Sequence, residues 1–250
     1  METKLSGLSV VLPAHNEEGT VESVVDQVHG VLEALGIDYE IILVDDGSID
    51  RTGDIGIGLK ARIPKFRLVQ HFPNRGYGGA LKAGFHAATK DWISFFPADG
   101  QFKFDEIRLL IGRMKDADIV SGFRADRKDV LIRRINAMAW KALVRLLFGR
   151  LCRDIDCGFK LFRRRILADL RLEGNGASID TELLAGAKAL GYRIGEVEVT
   201  HLPRTAGKAT GADLKVILRA LRDLPRFRLR LGREIGKATH AEPKILPEEG

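Results

Sequence analysis

The sequence predicts an α/β fold, with a mainly parallel central sheet and helices on both faces. Two observations predict it. From residue 8 to residue 123, short apolar runs alternate with stretches of helical periodicity, the pattern of repeated strand–helix–strand units. Three of those runs also stop abruptly in polar segments, Pro13–Glu18, Asp45–Ser48 and Asp99–Gln101. In open parallel sheets, ligands bind outside the carboxyl ends of the strands.

The elements follow in order. LSVVLP (8–13) is an apolar run closed by a proline, as a buried strand would be. Residues 16–35 place Val21, Val24, Val25, Val28, Val31, Leu32 and Leu35 at helical spacing. YEIILVDD (39–46) is a strand ending in two aspartates. Residues 51–62 read as a weaker helix, because Gly53, Gly56 and Gly58 lower its propensity. FRLVQH (66–71) is a strand, 76–88 a helix opened by glycines, and DWISFFP (91–97) a strand stopping at Pro97-Ala98-Asp99-Gly100. A helix over 105–116 and a strand over 117–123 complete the first half.

After residue 124 the chain turns basic. Residues 124–165 hold 13 Lys/Arg against 4 Asp/Glu, and 212–237 hold 8 against 3, within a total of +6. Val130–Phe148 reads as an amphipathic helix gathering Arg133, Arg134, Lys141 and Arg145 on one side. A helix over 179–190 and a strand over 192–201 follow. A second basic amphipathic helix over 213–224 is expected to end before Pro225, with RFRLRL (226–231) alternating basic and apolar residues. The tail from about 238 reads as flexible. The division expected is a main domain over 1–211, a basic extension over 212–237 and a tail over 238–250.

Several classes are excluded. Two cysteines, Cys152 and Cys157, cannot build a disulfide scaffold, and they read as reduced packing residues. The turn after the first strand, Pro-Ala-His-Asn-Glu-Glu, has no glycine and two carboxylates, so it is not a dinucleotide fingerprint. The Gly76-Tyr-Gly-Gly loop lacks the lysine of a P-loop. No apolar run reaches the 18 or so residues of a membrane span. The basic stretch 226–237 lacks a nucleic-acid reading motif, so no nucleic-acid partner is expected. What remains suits a nucleotide's base and ribose, which carboxylates and main-chain groups can pair. Asp99 and Gln101 offer oxygen ligands of the kind Mg²⁺ and Mn²⁺ accept alongside substrate phosphates.

The order of motifs resembles the family 2 glycosyltransferases, most closely their polyprenyl-phosphate sugar synthases, from about Leu8 to Gly211. The matching segments are LPAHNEE, VDDGSIDRT, NRGYGGALKAG, PADGQF, GFR (122–124), DIDCGFKLFRR (154–164) and PRTAGKATG (203–211). The resemblance implies a Rossmann-like GT-A fold and an inverting glycosyltransferase. Its donor would be a GDP- or UDP-sugar and its acceptor a polyprenyl phosphate. It implies that Pro13, Ala14, His15, Glu17, Val44 and Asp46 line the base and ribose, with Ala98 touching the donor. Asp99 and Gln101 would hold Mg²⁺ or Mn²⁺ on the diphosphate. Arg124, Arg204 and Lys208 would gather phosphate charge, joined by Arg133 or Arg134, with Asp99 and Arg124 as the catalytic pair. Two departures stand out: Pro97 replaces the first aspartate of the family's D-x-D, and His15 replaces a tyrosine.

The basic amphipathic segments Val130–Phe148 and Asp213–Leu231 fit a peripheral place on the cytoplasmic face of a membrane, beside a lipid acceptor or a membrane-protein partner. Two other readings stay open. The acceptor is a glycan or small-molecule hydroxyl, which would need a carboxylate base, Asp154 or Asp156. Or the chain binds nucleotide sugars without turning them over.

Overall fold

Val10, Val11, Leu12 and the run Ile41–Val44 have no accessible surface, as strands covered on both faces must. In the computed structural model, which describes residues 5–125, 131–204 and 223–233 (for 131–139 the helical backbone only), they lie at the centre of one sheet. Seven strands build that sheet among the described residues: β1 (Leu8–Ala14), β2 (Tyr39–Asp45), β3 (Phe66–Gln70), β4 (Trp92–Phe95), β5 (Ile119–Phe123), β6 (Lys160–Arg163) and β7 (Ile194–Glu198). Their spatial order is β3-β2-β1-β4-β6-β5-β7. Every pairing is parallel except the two made by β6, which runs antiparallel to both β4 and β5.

The β6 strand was not expected. KLFR is short, and its first residue is a lysine at 0% exposure, so neither length nor hydropathy marks it. Other boundaries shift as well. The first helix, α1 (Val21–Leu35), starts five residues later than expected, because 15–20 form the loop of the site. α2 is Thr52–Arg62 and α3 is Tyr77–Ala87. The helix expected over 105–116 is a 3₁₀ turn, Phe104–Glu106, followed by α4 (Ile107–Gly112). α5 (Leu131–Phe148), the short α6 (Ile166–Asp169) and α7 (Ser178–Ala189) follow.

The strands' period of two divides their side chains between two cores. Val10 and Leu12 point to one, with Val24, Val25, Val28 and Leu32 of α1 and the rings of Phe96, Phe104 and Phe159. Phe96 and Phe159 meet edge to face with centroids 4.8 Å apart, a geometry aromatic quadrupoles favour. Val11, Ile42 and Val44 point to the other, with Phe85, Phe95, Phe162 and α7. Here α3 lies so close to the sheet that only glycine fits at 84, where a Cβ would overlap Val11.

The segment after Pro225 is a correction. Residues 223–233 are helical (α8) and include both Pro225 and the 226–231 stretch. Leu224, Phe227 and Leu231, at helical spacing, are buried in the second core, and Phe148 of α5 meets Phe227 at 5.4 Å. Trp140, Leu143, Val144, Leu147 and Phe148 of α5 pack on the same core. In the described parts of these segments, 140–148 and 223–231, the apolar side packs on protein, while 213–222 and the side chains of 131–139 lie outside the described residues. What faces outward is cationic, Lys141, Arg145, Arg226 and Arg228, with Leu146 and Leu229 exposed among them. Among the described residues, no helix is long and apolar enough to cross a membrane.

Candidate active site

The loops that follow β1, β2 and β3 are stitched to one another at the carboxyl edge of the sheet. Asp46 N–H donates to Ala14 O at 2.9 Å, Asn16 N–H to Ser48 Oγ at 2.9 Å and Glu17 N–H to Thr52 Oγ1 at 2.9 Å. Asn16 adopts φ +57° and returns a bond by accepting Ile49 N–H on Oδ1. The two aspartates ending β2 differ in role. Asp45 accepts Ser48 N–H and the Gln70 amide, so it holds its own turn. Asp46 Oδ1 accepts His71 Nδ1–H at 2.7 Å and Arg75 N–H at 2.9 Å. His15 Nδ1 donates to Asp46 O at 3.0 Å, and the Asn74 amide donates to the same oxygen at 2.8 Å.

A second group lies where β1 adjoins β4. Thr20 Oγ1 donates to Ala98 O at 2.8 Å, tying the first loop to the one that carries Asp99. Asp99 Oδ1 accepts Gln101 N–H at 3.1 Å, and its Oδ2 lies 3.9 Å from Arg204 Nη1. Arg204 also pairs with Glu17. Burial raises the Glu17 carboxyl above the usual range and nearby Asp99 adds to this, against the pull of Arg204. The Gln101 amide nitrogen donates to Leu202 O at 3.2 Å. Arg124 is bound in a fork by Asp154, Nε to Oδ2 at 2.6 Å and Nη2 to Oδ1 at 2.9 Å.

The structure thus brings together His15 and Asp46, and separately Glu17, Asp99, Gln101 and Arg204. Pro13 is half-buried at the end of β1, while Ala14 and Ala98 are buried beneath the loops. Val44 is a correction: with no accessible surface and its methyl beside Gly84, it forms the floor and not the lining. Lys208 lies outside the described residues, as do the side chains of Arg133 and Arg134. Arg124 is held in place by its fork with Asp154. His71 was missed by sequence reasoning. A lone histidine has no spacing signal, and only the β2–β3 register, which pairs Asp45 with Gln70, sets it beside Asp46.

For a divalent ion, the residues fit one mode. Pro97 offers no ligand; its ring packs on Gly158, where a Cβ would lie 2.5 Å from Pro97 Cγ. Among the described residues, no cluster of three His, Cys, Asp or Glu could hold a metal. Asp99, with the Gln101 oxygen, supplies hard oxygen donors for an ion that takes its other ligands from a diphosphate.

Asp156 sits partly buried behind Arg124, accepting Trp140 Nε1–H at 3.1 Å. Burial, with Asp180 and Asp154 adding, pushes its carboxyl from 3.8 up to about 6. Between those values the folded chain keeps a proton that the unfolded chain has lost, so stability falls as pH rises through this window. Asp156→Asn is therefore expected to stabilise the protein by about 2 kcal/mol at pH 7.5 and negligibly at pH 4. Urea unfolding at both values checks this; an equal gain at both would refute it.

The family model for glycosyl transferase family 2 matches residues 9–171. The chain belongs to glycosyl transferase family 2. Among curated relatives of this family 2 protein, the undecaprenyl-phosphate 4-deoxy-4-formamido-L-arabinose transferase of Pectobacterium carotovorum is 31% identical, over 85% of this chain and 65% of its own. Glycosyltransferase AglD of Haloferax volcanii is 34% identical, over 79% of this chain and 33% of its own. The chain thus spans about two thirds of the one and a third of the other. Among solved structures, glucosyl-3-phosphoglycerate synthase from Mycobacterium tuberculosis, in complex with Mn²⁺ and UDP-glucose, superposes with TM-score 0.68 at 24% identity, over 89% of this chain and 79% of that one. That likeness identifies the GT-A fold.

Proposed function

We propose that this family 2 chain moves a sugar, with inversion, from a nucleoside diphosphate donor to a polyprenyl phosphate at a membrane surface. The observation that carries the reading is the convergence of Glu17, Asp99 and Arg204 beside the Asp46 loop, at the carboxyl edge of the sheet. The names of the undecaprenyl-phosphate relatives support the acceptor class. The basic faces of α5 and α8, each with an exposed leucine, support a peripheral seat on the cytoplasmic leaflet.

In this reading His15, Glu17 and Asp46 receive the base and ribose. Asp99 and Gln101 hold Mg²⁺ or Mn²⁺, which when bound offsets the charge growing on the leaving diphosphate. Arg204, which lies beside Glu17 and Asp99, adds its guanidinium to those oxygens, and Lys208 shares the task. The acceptor oxygen attacks the anomeric carbon as the bond to the diphosphate breaks. A phosphate monoester has its second pKa near about 6, so it attacks as a dianion and needs no base, only positioning by cations.

The test is a panel of GDP- and UDP-sugars, radiolabelled in the sugar, with short polyprenyl phosphates and Mn²⁺ or Mg²⁺. Label entering the organic phase is expected from one donor; label staying in water as a new glycoside would move the acceptor to the hydroxyl class.

A further inference from the structure

Beneath the site lies a buried group of charges with no place in that chemistry. Lys160, the first residue of β6, has no exposed surface. Its ammonium donates to Asp180 Oδ1 at 2.6 Å, to Ile155 O at 2.9 Å and to Cys157 O. Three donors meet three acceptors, and the Phe95 ring closes one side at 5.0 Å. The Asp180 carboxylate, on α7, also lies near the hydroxyl of Tyr77.

Each end of this chain of bonds reaches a different part of the site. Tyr77 opens α3, two residues after Arg75, whose N–H holds Asp46 on the donor side. Gly78 N–H is tied to Asn175 O at 3.0 Å, which fixes that turn against the loop before α7. At the other end, the two carbonyls bound by Lys160 belong to the loop carrying Asp154 and Asp156. That loop grips Arg124 and reaches Trp140 of α5. A path of contacts therefore runs from Asp46 through the start of α3, the loop before α7, Asp180 and Lys160 to the Arg124–Asp154 pair.

Stability does not account for it. Taking an ammonium and a carboxylate out of water costs several kcal/mol per ion, and well-packed apolar replacements are often neutral or better. What a saturated buried pair supplies is a single geometry.

We propose that Tyr77, Asp180 and Lys160 are positioning residues that set the 154–158 loop in register with the donor-side loop 74–78. The proposal rests on the proposed function and adds to it that loop 74–78 serves the donor through Asp46 and that loop 154–158 serves the acceptor. Since about 1 Å of misplacement costs on the order of 100-fold in rate, a loosened loop 154–158 slows transfer while donor binding stays intact.

Tyr77→Phe is the cleanest probe, because it removes one hydroxyl and keeps the ring. In the ligand-free full chain, hydrogen–deuterium exchange in 154–158 is expected to quicken at least ~5-fold, with exchange elsewhere in the sheet unchanged. In turnover with the labelled donor and polyprenyl phosphate, kcat is expected to fall about 10-fold with donor KM within about 2-fold. Lys160→Arg should keep more activity than Lys160→Met. Should Lys160→Met fail to fold, Lys160→Met with Asp180→Leu removes both charges together and is expected to show the same local loosening. Unchanged exchange at 154–158 in Tyr77→Phe overturns the proposal, and so does uniform loosening of the whole sheet. If the wild-type chain forms no lipid-linked sugar, the functional reading falls, while the exchange result still decides the coupling.

Discussion

Asp99→Ala is expected to lower kcat for sugar transfer at least ~100-fold, with Mn²⁺ or Mg²⁺ unable to restore it at any concentration. The magnitude follows from how few groups share its task. Pro97, two residues before it, offers no carboxylate and packs its ring on Gly158. Asp99 Oδ1 is engaged by the Gln101 N–H, while Oδ2 lies towards Arg204. Asp99→Asn keeps the turn but loses the charge, so it separates the two duties: a comparable loss of kcat with an unchanged melting temperature is expected. Steady-state kinetics against metal concentration checks it, and a kcat within about 3-fold of wild type for Asp99→Ala would remove Asp99 from the metal site.

Arg124→Ala is expected to destabilise the protein by about 3 kcal/mol, the scale for breaking a buried pair. Its guanidinium and the Asp154 carboxylate are both nearly closed to solvent, side chains 11% and 7% exposed, and share two charge-assisted bonds. Burial opposes the arginine's charge, but Asp154 outweighs it and holds the guanidinium above its ordinary value. The fork is bidentate, so Arg124→Lys, which cannot form it, should recover less than half of the loss. Removing Asp154 together with Arg124 should cost less than the two single changes added. Denaturant unfolding of the cycle checks this, and a loss below about 1 kcal/mol for Arg124→Ala would contradict it.

The first half of the chain was legible because its strands are apolar runs with abrupt polar ends, and the side-chain period exposes them. LSVVLP and YEIILVDD could scarcely be anything else, and the loops at their ends do carry His15, Glu17 and Asp46. What stayed hidden depended on contacts distant in sequence. Lys160 reads as a surface residue until Asp180 and two carbonyls are seen around its ammonium. RFRLRL alternates as a strand would, yet Leu224, Phe227 and Leu231 bury one helical face, because tertiary burial overrides a short local pattern. His71 gains meaning only from Asp46, 25 residues earlier, across a pair of strands. The Arg124–Asp154 fork likewise joins residues thirty apart that no local pattern pairs.

The reversed direction of β6 has a consequence for how the protein is made. Among the described residues β6 alone bonds β4 to β5, so of the described sheet a nascent chain that has emerged only as far as β5 can pair β3-β2-β1-β4. The ribosome must release Lys160–Arg163 before the two parts of the sheet can zip together. Until then the β4 edge and the whole of β5 stay open to other chains, the interval in which this polypeptide most needs a chaperone's shelter.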